Sequence, residues 1–582
     1  MATEELVTEQ FQFLGIDVQE EVLTKCVSLC EEYNVDAETF IEQWMAFSLT
    51  HLNGSPPTLE NLELLEKREF SKATASRPNA FANDATSTGT SLSVYGMQVS
   101  AQPDNQLLSD YMTTSPKQFK VENVPVSGFS EINAATISDT IGKSAKYAAR
   151  TNPGAVVNSY GSEELLQVLA KANGPNDILE LCITQVPNDD REIYTKAMFG
   201  FELLHEKAST FDNHIHYVSR CILKKASLSE CTSVRQKSQT EVIVAGRIEC
   251  DADARLNSKS VVLQGTWEES LSQAVAVDID NLKYSLFPGQ VVVMRGLNPR
   301  GDKFVAQEVY CDASQAIPDQ KRDMMNTLKG NLSIVMAAGP YTTSENLAYE
   351  PLKDLITYIS TQKPHVVILT GPFIDCDHTN VKDNVMTETF KSLFDKLIDT
   401  LGELYTTSPF TKIYIVSNCK DVFHLNIYPT PPYPSSKRKH PNIHFLPDPC
   451  TLNLSGVVVG ITGIDVLMHI SQEEISQGVG GDKLARLANH LLMQQTYYPL
   501  WPPPPGLCLD AALWSAHAQM PCTPHILVLP SNFRYFIKEI NGCVVVNPER
   551  LSKGQGGGTF AKAVVSNDTA SPKNIAAQII RI

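Results

Sequence analysis

Apolar positions in the first 70 residues recur at helical spacing. Asp17 precedes Val18, Val22, Leu23, Cys26, Val27 and Cys30, an N-cap followed by one apolar face. Asp36 precedes Phe40, Ile41, Trp44, Phe47 and Leu49 in the same rhythm, and Pro56-Pro57-Thr58 opens Leu59, Leu62 and Leu65. With Leu6, Phe11 and Phe13, the pattern predicts an N-terminal helical bundle over residues 1–70. The Trp44 and Phe47 stripe reads as the core of that bundle or as a face that docks a partner. So small a unit is only marginally stable alone, which is why the docking reading is carried forward.

The periodicity stops at about residue 71. Residues 71–159 are rich in Ser and Thr, interleaved with Asn, Ala and Pro, and poor in large apolar side chains. Such a stretch buries too little surface to offset its ordering entropy, so a disordered tether is expected. Ser115-Pro116-Lys117 lies within it and resembles a proline-directed kinase site, with Ser115 as the candidate phosphorylation position. Residues 160–240 mix helical stretches, such as Ser162 to Ala172, with Asp, Asn and Pro breaks, and are expected to pack on whichever domain follows.

Strand patterns dominate residues 241–315. Val242–Ala245, Ser260–Leu263, Ala274–Val277, Val291–Met294 and Phe304–Ala306 are short β runs separated by Gly, Pro, Asn and Asp. That spacing suits an OB-type β-barrel. Trp267, Tyr284, Phe287 and Tyr310 read as barrel core and rim, or as rings that stack bases. Residues 325–582 alternate strand and helix. Leu332–Met336, His365–Leu369, Ile413–Val416, Val457–Val459, His525–Leu529 and Cys543–Val546 are apolar runs, with helical patterns at Leu347–Ser360 and Phe390–Leu401. This is the signature of a layered α/β domain.

Charge narrows the function classes. Lys+Arg 48 against Asp+Glu 65 gives a net charge of −17. Bare nucleic acid is repelled by such a field at long range, so nucleic acid is expected to be met mainly through a complex. Mean hydropathy is −0.14, no run reaches the length of a membrane helix, and the N-terminus MATEELVTEQ does not read as a secretory signal, so no membrane partner is expected. Thirteen scattered cysteines without a CxxC pair fit a reducing compartment better than a disulfide or zinc framework.

Sites in open α/β folds lie beyond the carboxyl ends of strands. Here those ends read Ala337-Ala338-Gly339-Pro340, Thr370-Gly371-Pro372-Phe373-Ile374-Asp375, Ser417-Asn418-Cys419-Lys420-Asp421 and Pro530-Ser531-Asn532-Phe533. The arrangement resembles a calcineurin-like phosphodiesterase fold lacking its catalytic residues. An active member needs Asp-x-His, Gly-Asp-x-x-Asp, Gly-Asn-His and isolated histidines to hold two cations and activate a water. In their place stand Ala338 and Gly339, Pro372, Cys419 and Ser531, and only Asp375 and Asn418 survive. No catalytic residue, metal ligand or cofactor is expected. Asp375, Asp377 and His378 form a local cluster that would take at most one metal or remain a solvated loop. Lys437-Arg438-Lys439-His440 is a short basic patch, read as an exposed loop, a nuclear signal or a nucleic-acid contact.

Several blocks carry a more specific likeness. Ala337 to Tyr341, Asn346 to Leu352, Leu369 to Asp375, Tyr428 to Tyr433, and Asn547-Pro548-Glu549-Arg550-Leu551 to Phe560 resemble the B-subunit family of replicative DNA polymerases, above all its polymerase alpha–primase branch. One departure is Glu549, where the family pattern Asn-Pro-Gly-Arg has Gly. The resemblance implies a non-catalytic scaffold in the nucleus. The OB and phosphodiesterase-like domains would hold the zinc-bearing C-terminal region of the catalytic subunit of DNA polymerase alpha. Primase subunits would join through the complex, and the helical head would reach other replication factors. Two alternatives stay open on the residues alone: a metallophosphoesterase or nuclease with a nonstandard site dependent on Asp375, and an OB-fold single-stranded DNA binder using Tyr284 or Phe287.

Overall fold

The computed structural model describes residues 11, 20–33, 40–41, 44, 47–48, 57–65, 144–173, 179, 181–186, 199–280, 282–318, 330–386, 388–434, 440–566 and 572–582. The chain forms two compact units, residues 1–62 with 142–582, and residues 63–141. Only 63–65 of the second unit are described, so the expected tether as far as residue 143, Ser115 and the basic run 437–439 lie outside the described residues.

In the N-terminal segment the helices Glu20–Tyr33 and Leu59–Leu65 follow the apolar periodicity, and Thr58 accepts the Asn61 N–H at 3.3 Å as the predicted cap. The docking reading of Trp44 and Phe47 is corrected. Both side chains are buried, their ring centroids 6.4 Å apart, so the stripe faces inward as core.

Five strands, Ser238–Cys250, Val261–Gln264, Ala274–Asp278, Val291–Asn298 and Lys303–Tyr310, close the barrel. The third and fifth pair in parallel, Ala276 beside Lys303, and the fourth returns antiparallel to the first. Val244, Ile248, Leu263, Val275, Val292, Met294 and Phe304 fill the interior, as the two-residue alternation requires.

The C-terminal region is a sandwich of two sheets. The larger has the order Val156–Tyr160, Ile575–Arg581, Thr559–Val565, Leu332–Ala338, Val366–Thr370, Lys412–Val416, Ile443–Leu446, the last four mutually parallel. The smaller runs Phe536–Ile540, Cys543–Asn547, Ile526–Val528, Val457–Ile461, Cys450–Leu454, Ile183–Gln185. Ile334, Met336, Ile368 and Val416 of one meet Leu452, Val459, Val528 and Val546 of the other in a shared core. The alternate residues Val335, Val367 and Leu369 pack under the helices Glu350–Gln362 and Phe390–Gly402. On the opposite outer face Leu527 and Val545 pack under Val466–Glu473, Lys483–Gln494 and Ala511–His517. Burial on both faces explains why these strands read as unbroken apolar runs.

Residues 144–159, expected to be part of the tether, are folded. Ser144 caps the short helix Ala145–Ala148, the buried Tyr147 donates its O–H to Asp354 at 2.8 Å, and Val156–Tyr160 is an edge strand of the larger sheet. Local composition hides this because the partners lie at the far end of the chain: Arg150 donates to the Ile582 carbonyl at 3.1 Å. Residues 160–240 serve both domains. The helix Glu163–Ala170 covers Val564 and Ala576 of the larger sheet, while Ile183–Gln185 edges the smaller one. The long helix Leu204–Ala226 sets Ile215, Val218 and Ile222 against Val291 and Val293 of the barrel, and Phe211 against Trp501 and Trp514 of the sandwich.

Barrel and sandwich are joined by backbone pairing of Tyr284–Leu286 with Ile475–Gln477. The Gln494 amide accepts the Val291 N–H at 2.8 Å and donates to the Val291 carbonyl at 3.0 Å, engaging both polar groups of that residue's backbone. Beside it, burial alone would raise the Glu474 carboxyl. Hydrogen bonds from His490, Arg486 and Ser285 outweigh that and hold it well below the usual range.

Candidate functional site

The parallel strands of the larger sheet and their neighbours in the smaller one deliver their carboxyl-end loops to one place. Ala338 closes its strand fully buried, and Gly339 donates its N–H to the Thr370 carbonyl at 2.9 Å. A Cβ at 339 would stand 2.0 Å from the Pro372 carbonyl oxygen, so this backbone admits no side chain at that strand end. Asn418 is buried and wholly engaged: its amide donates to the Gly463 carbonyl at 3.1 Å, and its oxygen accepts the Lys420 N–H at 2.9 Å. Burial pushes the adjacent Cys419 thiol up to about 12, so it stays protonated at neutral pH. Burial also raises the Asp375 carboxyl, against the Asp377 N–H that it accepts at 2.9 Å.

Ser531 leads to the centre of the arrangement. Its hydroxyl donates to Asp465 at 2.6 Å, and Asp465 also accepts the Asn532 N–H at 2.7 Å and the Met468 N–H at 3.1 Å. The Arg550 guanidinium lies beside the same carboxylate, Nη2 3.6 Å from Oδ2, donates from Nε to Asn532 at 3.1 Å, and reaches the Gly339 carbonyl at 3.4 Å. One buried cation thus ties together the loops at 339, 465, 532 and 550. Glu549 precedes that arginine in the chain. It occupies the left-handed region at φ 65°, the conformation the glycine of the family pattern would supply, and is held there by the Asn547 oxygen on its N–H at 2.8 Å.

Sequence reasoning missed Asp465 and Arg550, and with them two further carboxylates. Asp421 accepts the Phe373 and Ile374 N–H groups at 2.7 Å each and the Tyr433 hydroxyl. Asp448 accepts the Gly463 N–H at 2.8 Å. Burial pushes both carboxyls up to about 7. The signal available for all four was a charged residue a few positions beyond an apolar run. The donor set does not fit a metal pair: Asp421 and Asp465 are engaged by N–H and hydroxyl donors, only Asp448 Oδ2 among them is left without a partner, and the strongest charge at the centre is a guanidinium. Asp375, Cys376 and Asp377 do place one donor atom each within 4.8 Å of one another, but Lys382 and Lys420 flank Asp377 at 2.9 and 3.7 Å. His378 is not part of that group; its ring engages the Thr343 carbonyl and the Asn380 N–H.

In the barrel, Tyr284 and Phe287 are buried, and the Phe287 ring meets His490 edge-on with centroids 4.9 Å apart. Neither ring is offered to a base, which corrects that expectation. Trp267 alone of the barrel rings singled out is largely exposed.

Family comparison agrees with the order of these parts. The family model for the N-terminal part of the DNA polymerase alpha B subunit matches residues 4–72; that for the OB domain of the same B subunit matches 208–312; that for the B subunit of DNA polymerase alpha/epsilon matches 334–538. The B subunit of DNA polymerase alpha from Mus musculus is 32% identical over 608 residues, covering 100% of both chains. The chain belongs to the family of DNA polymerase alpha B subunits. The Drosophila melanogaster relative of the same name is 30% identical, covering 97% of this chain and 96% of its own, and that of Schizosaccharomyces pombe is 26% identical, covering 94% of each. Family membership thus spans the helical segment, the OB barrel and the sandwich alike, and the chain shares the OB domain with these relatives.

Proposed function

We propose that the chain is a non-catalytic scaffold subunit of DNA polymerase alpha–primase. In this reading the sandwich is a calcineurin-like phosphodiesterase fold whose site has become structural. The barrel and sandwich together hold the zinc-bearing C-terminal region of the catalytic polymerase subunit, with primase in the same complex, in support of RNA–DNA primer synthesis in the nucleus. The N-terminal segment, as a small helical bundle on a linker, carries contacts to other replication factors. The observation that carries the reading is the Arg550–Asp465 pair standing where a hydrolase would gather metal ligands, with Ala338, Gly339, Pro372, Cys419 and Ser531 around it. The barrel–sandwich joint supports it further, since the Gln494 and Glu474 contacts make one platform of two domains.

The test is calorimetric titration of the full chain with the C-terminal region of the catalytic polymerase alpha subunit, alongside a phosphodiesterase assay with manganese. Stoichiometric binding with Kd below about 0.1 μM and no turnover is expected for an obligate subunit. Absence of binding between well-folded components, or manganese-dependent turnover lost in Asp375→Ala, would overturn it.

A further inference from the structure

Most large apolar side chains of the barrel and its flanking helix are enclosed; Tyr217 and Val305 are exposed by 51 and 42%, and five others are more exposed still. Phe201 and Leu203 precede the helix Leu204–Ala226, and Leu204 opens it; the three are exposed by 71, 57 and 88%. Trp267 and Leu271 flank the barrel's single-turn helix Trp267–Ser270 and are 64 and 63% exposed. The two groups share a face. The Trp267 N–H donates to Asp212 at 2.7 Å, and Glu268 lies 3.8 Å from His216. Leu204 and the exposed Ala208 stand two turns and one turn before Asp212, on the same helical row. At about 1.5 Å per residue that row extends some 12 Å beyond Asp212.

Leu271 is held there at a conformational cost. It caps its helix at φ 53° in the left-handed region, followed by Ser272 at the same φ, where glycine or asparagine is the ordinary residue. A bulky apolar residue in that conformation, with its side chain in water, gains nothing for the fold and so points to a surface use. The helix side of the rim is acidic, with Glu206 in the first turn of the long helix, Asp212, and Glu268, itself 74% exposed, while on the far side of Leu271 Arg235 donates to the Ala274 carbonyl at 2.8 Å. The cation of that helix turn, Lys207, is directed away, 4.9 Å above the Trp501 ring.

We infer that this face docks an amphipathic helix whose apolar stripe covers Leu204, Trp267 and Leu271 and whose flanking lysines or arginines meet Glu206, Asp212 and Glu268. Resting on the scaffold reading, the inference assigns that helix to the catalytic polymerase subunit. Apolar anchors in the middle with charges at the rim are the arrangement in which a few side chains carry most of the affinity.

The test uses the full chain and the C-terminal region of the catalytic subunit, titrated by calorimetry. Leu204→Asp and Leu271→Gly are each expected to weaken binding at least about tenfold, and Glu268→Lys to weaken it and flatten its salt dependence. Leu271→Gly separates docking from folding, because glycine suits the left-handed cap and should leave thermal stability unchanged or raised. Val385→Asp, at an exposed site on the sandwich, serves as the control and should bind like the parent. Trp267, exposed where Trp44 and Trp514 are buried, should lose its acrylamide quenching in the complex, read as the difference from Trp267→Phe. If the parent binds but all three variants bind equally well and Trp267 stays quenchable, the inference falls and the scaffold reading stands. If the parent does not bind, both fall.

Discussion

Arg550→Gln isolates the charge at the centre of the strand-end loops. The guanidinium is buried and gives Asn532 a hydrogen bond, Gly339 a longer one and Asp465 an ion-pair contact at 3.6 Å. Removing one partner of a well-buried ion pair costs about 3–5 kcal/mol. Asp465 keeps the Ser531 hydroxyl and the N–H groups of Asn532 and Met468, so its charge is not orphaned, and the cost falls to about 2–3 kcal/mol. For a domain of this size that is a fall of roughly 5–10 °C in Tm. Calorimetric melting of the full chain reads it as the shift of the sandwich transition. Arg550→Lys keeps the charge but not the planar fork and should lose about half as much. The double variant Arg550→Gln with Asp465→Asn should fall short of the summed losses by at least about 1 kcal/mol, the coupling of groups in contact. A shift below about 1 °C in Arg550→Gln, or strict additivity in the double variant, would refute the claim that this pair holds the strand-end loops.

Two further outcomes are expected at the same loops. Gly339→Ala should cost about 3 kcal/mol and depress soluble yield, because its Cβ would stand 2.0 Å from the Pro372 carbonyl oxygen; urea midpoints decide, and an unchanged midpoint rejects the close approach. The buried Asp421 and Asp448 carboxyls, pushed up to about 7, keep their protons in the native state at pH values where the unfolded chain, near 3.8, has released them. Stability should therefore fall as pH rises from about 4 to about 7 and level off above, and Asp421→Asn should remove on the order of 4 kcal/mol of that fall, shown by Tm against pH for parent and variant; parallel curves would exclude Asp421 as a contributor.

How much of this could be read from the sequence depended on how local the cause was. The five barrel strands and the strands at 332, 366, 412, 457, 526 and 543 lie where apolar runs placed them, because each buries its own residues on a fixed period. The helix predicted from Leu347 begins at Glu350 instead, since Tyr349 takes a left-handed φ of 55° and Pro351 sits in the first turn. Strands 156–160 and 575–581 were not legible, because each is stabilised by the other across most of the chain. The strand-end positions Gly339 and Pro372 were legible as residues without metal-ligating side chains. The Arg550–Asp465 pair was not, because its two loops lie far apart in sequence and are brought together by strands of the smaller sheet. Trp44, Phe47, Tyr284 and Phe287 show the converse limit: residue type left a core role and a surface role both open, and packing places them inside.

The strand ends of a two-metal hydrolase crowd several carboxylates, and bound cations balance their repulsion. Here Asp375, Asp421, Asp448 and Asp465 remain in the strand-end loops, and they are answered differently. Asp465 is met by Arg550, Asp421 and Asp448 are raised by burial and supplied with N–H donors, and Asp375 is raised by burial beside the Asp377 N–H. The crowding is thus relieved by one guanidinium and by protonation, without a ligand that must be captured. Such a centre serves as rigid support for the loops around it. The demands of partner binding then fall on surfaces away from it, and the exposed Leu204–Trp267–Leu271 face lies on the barrel and its flanking helix, outside the loops that Arg550 ties together.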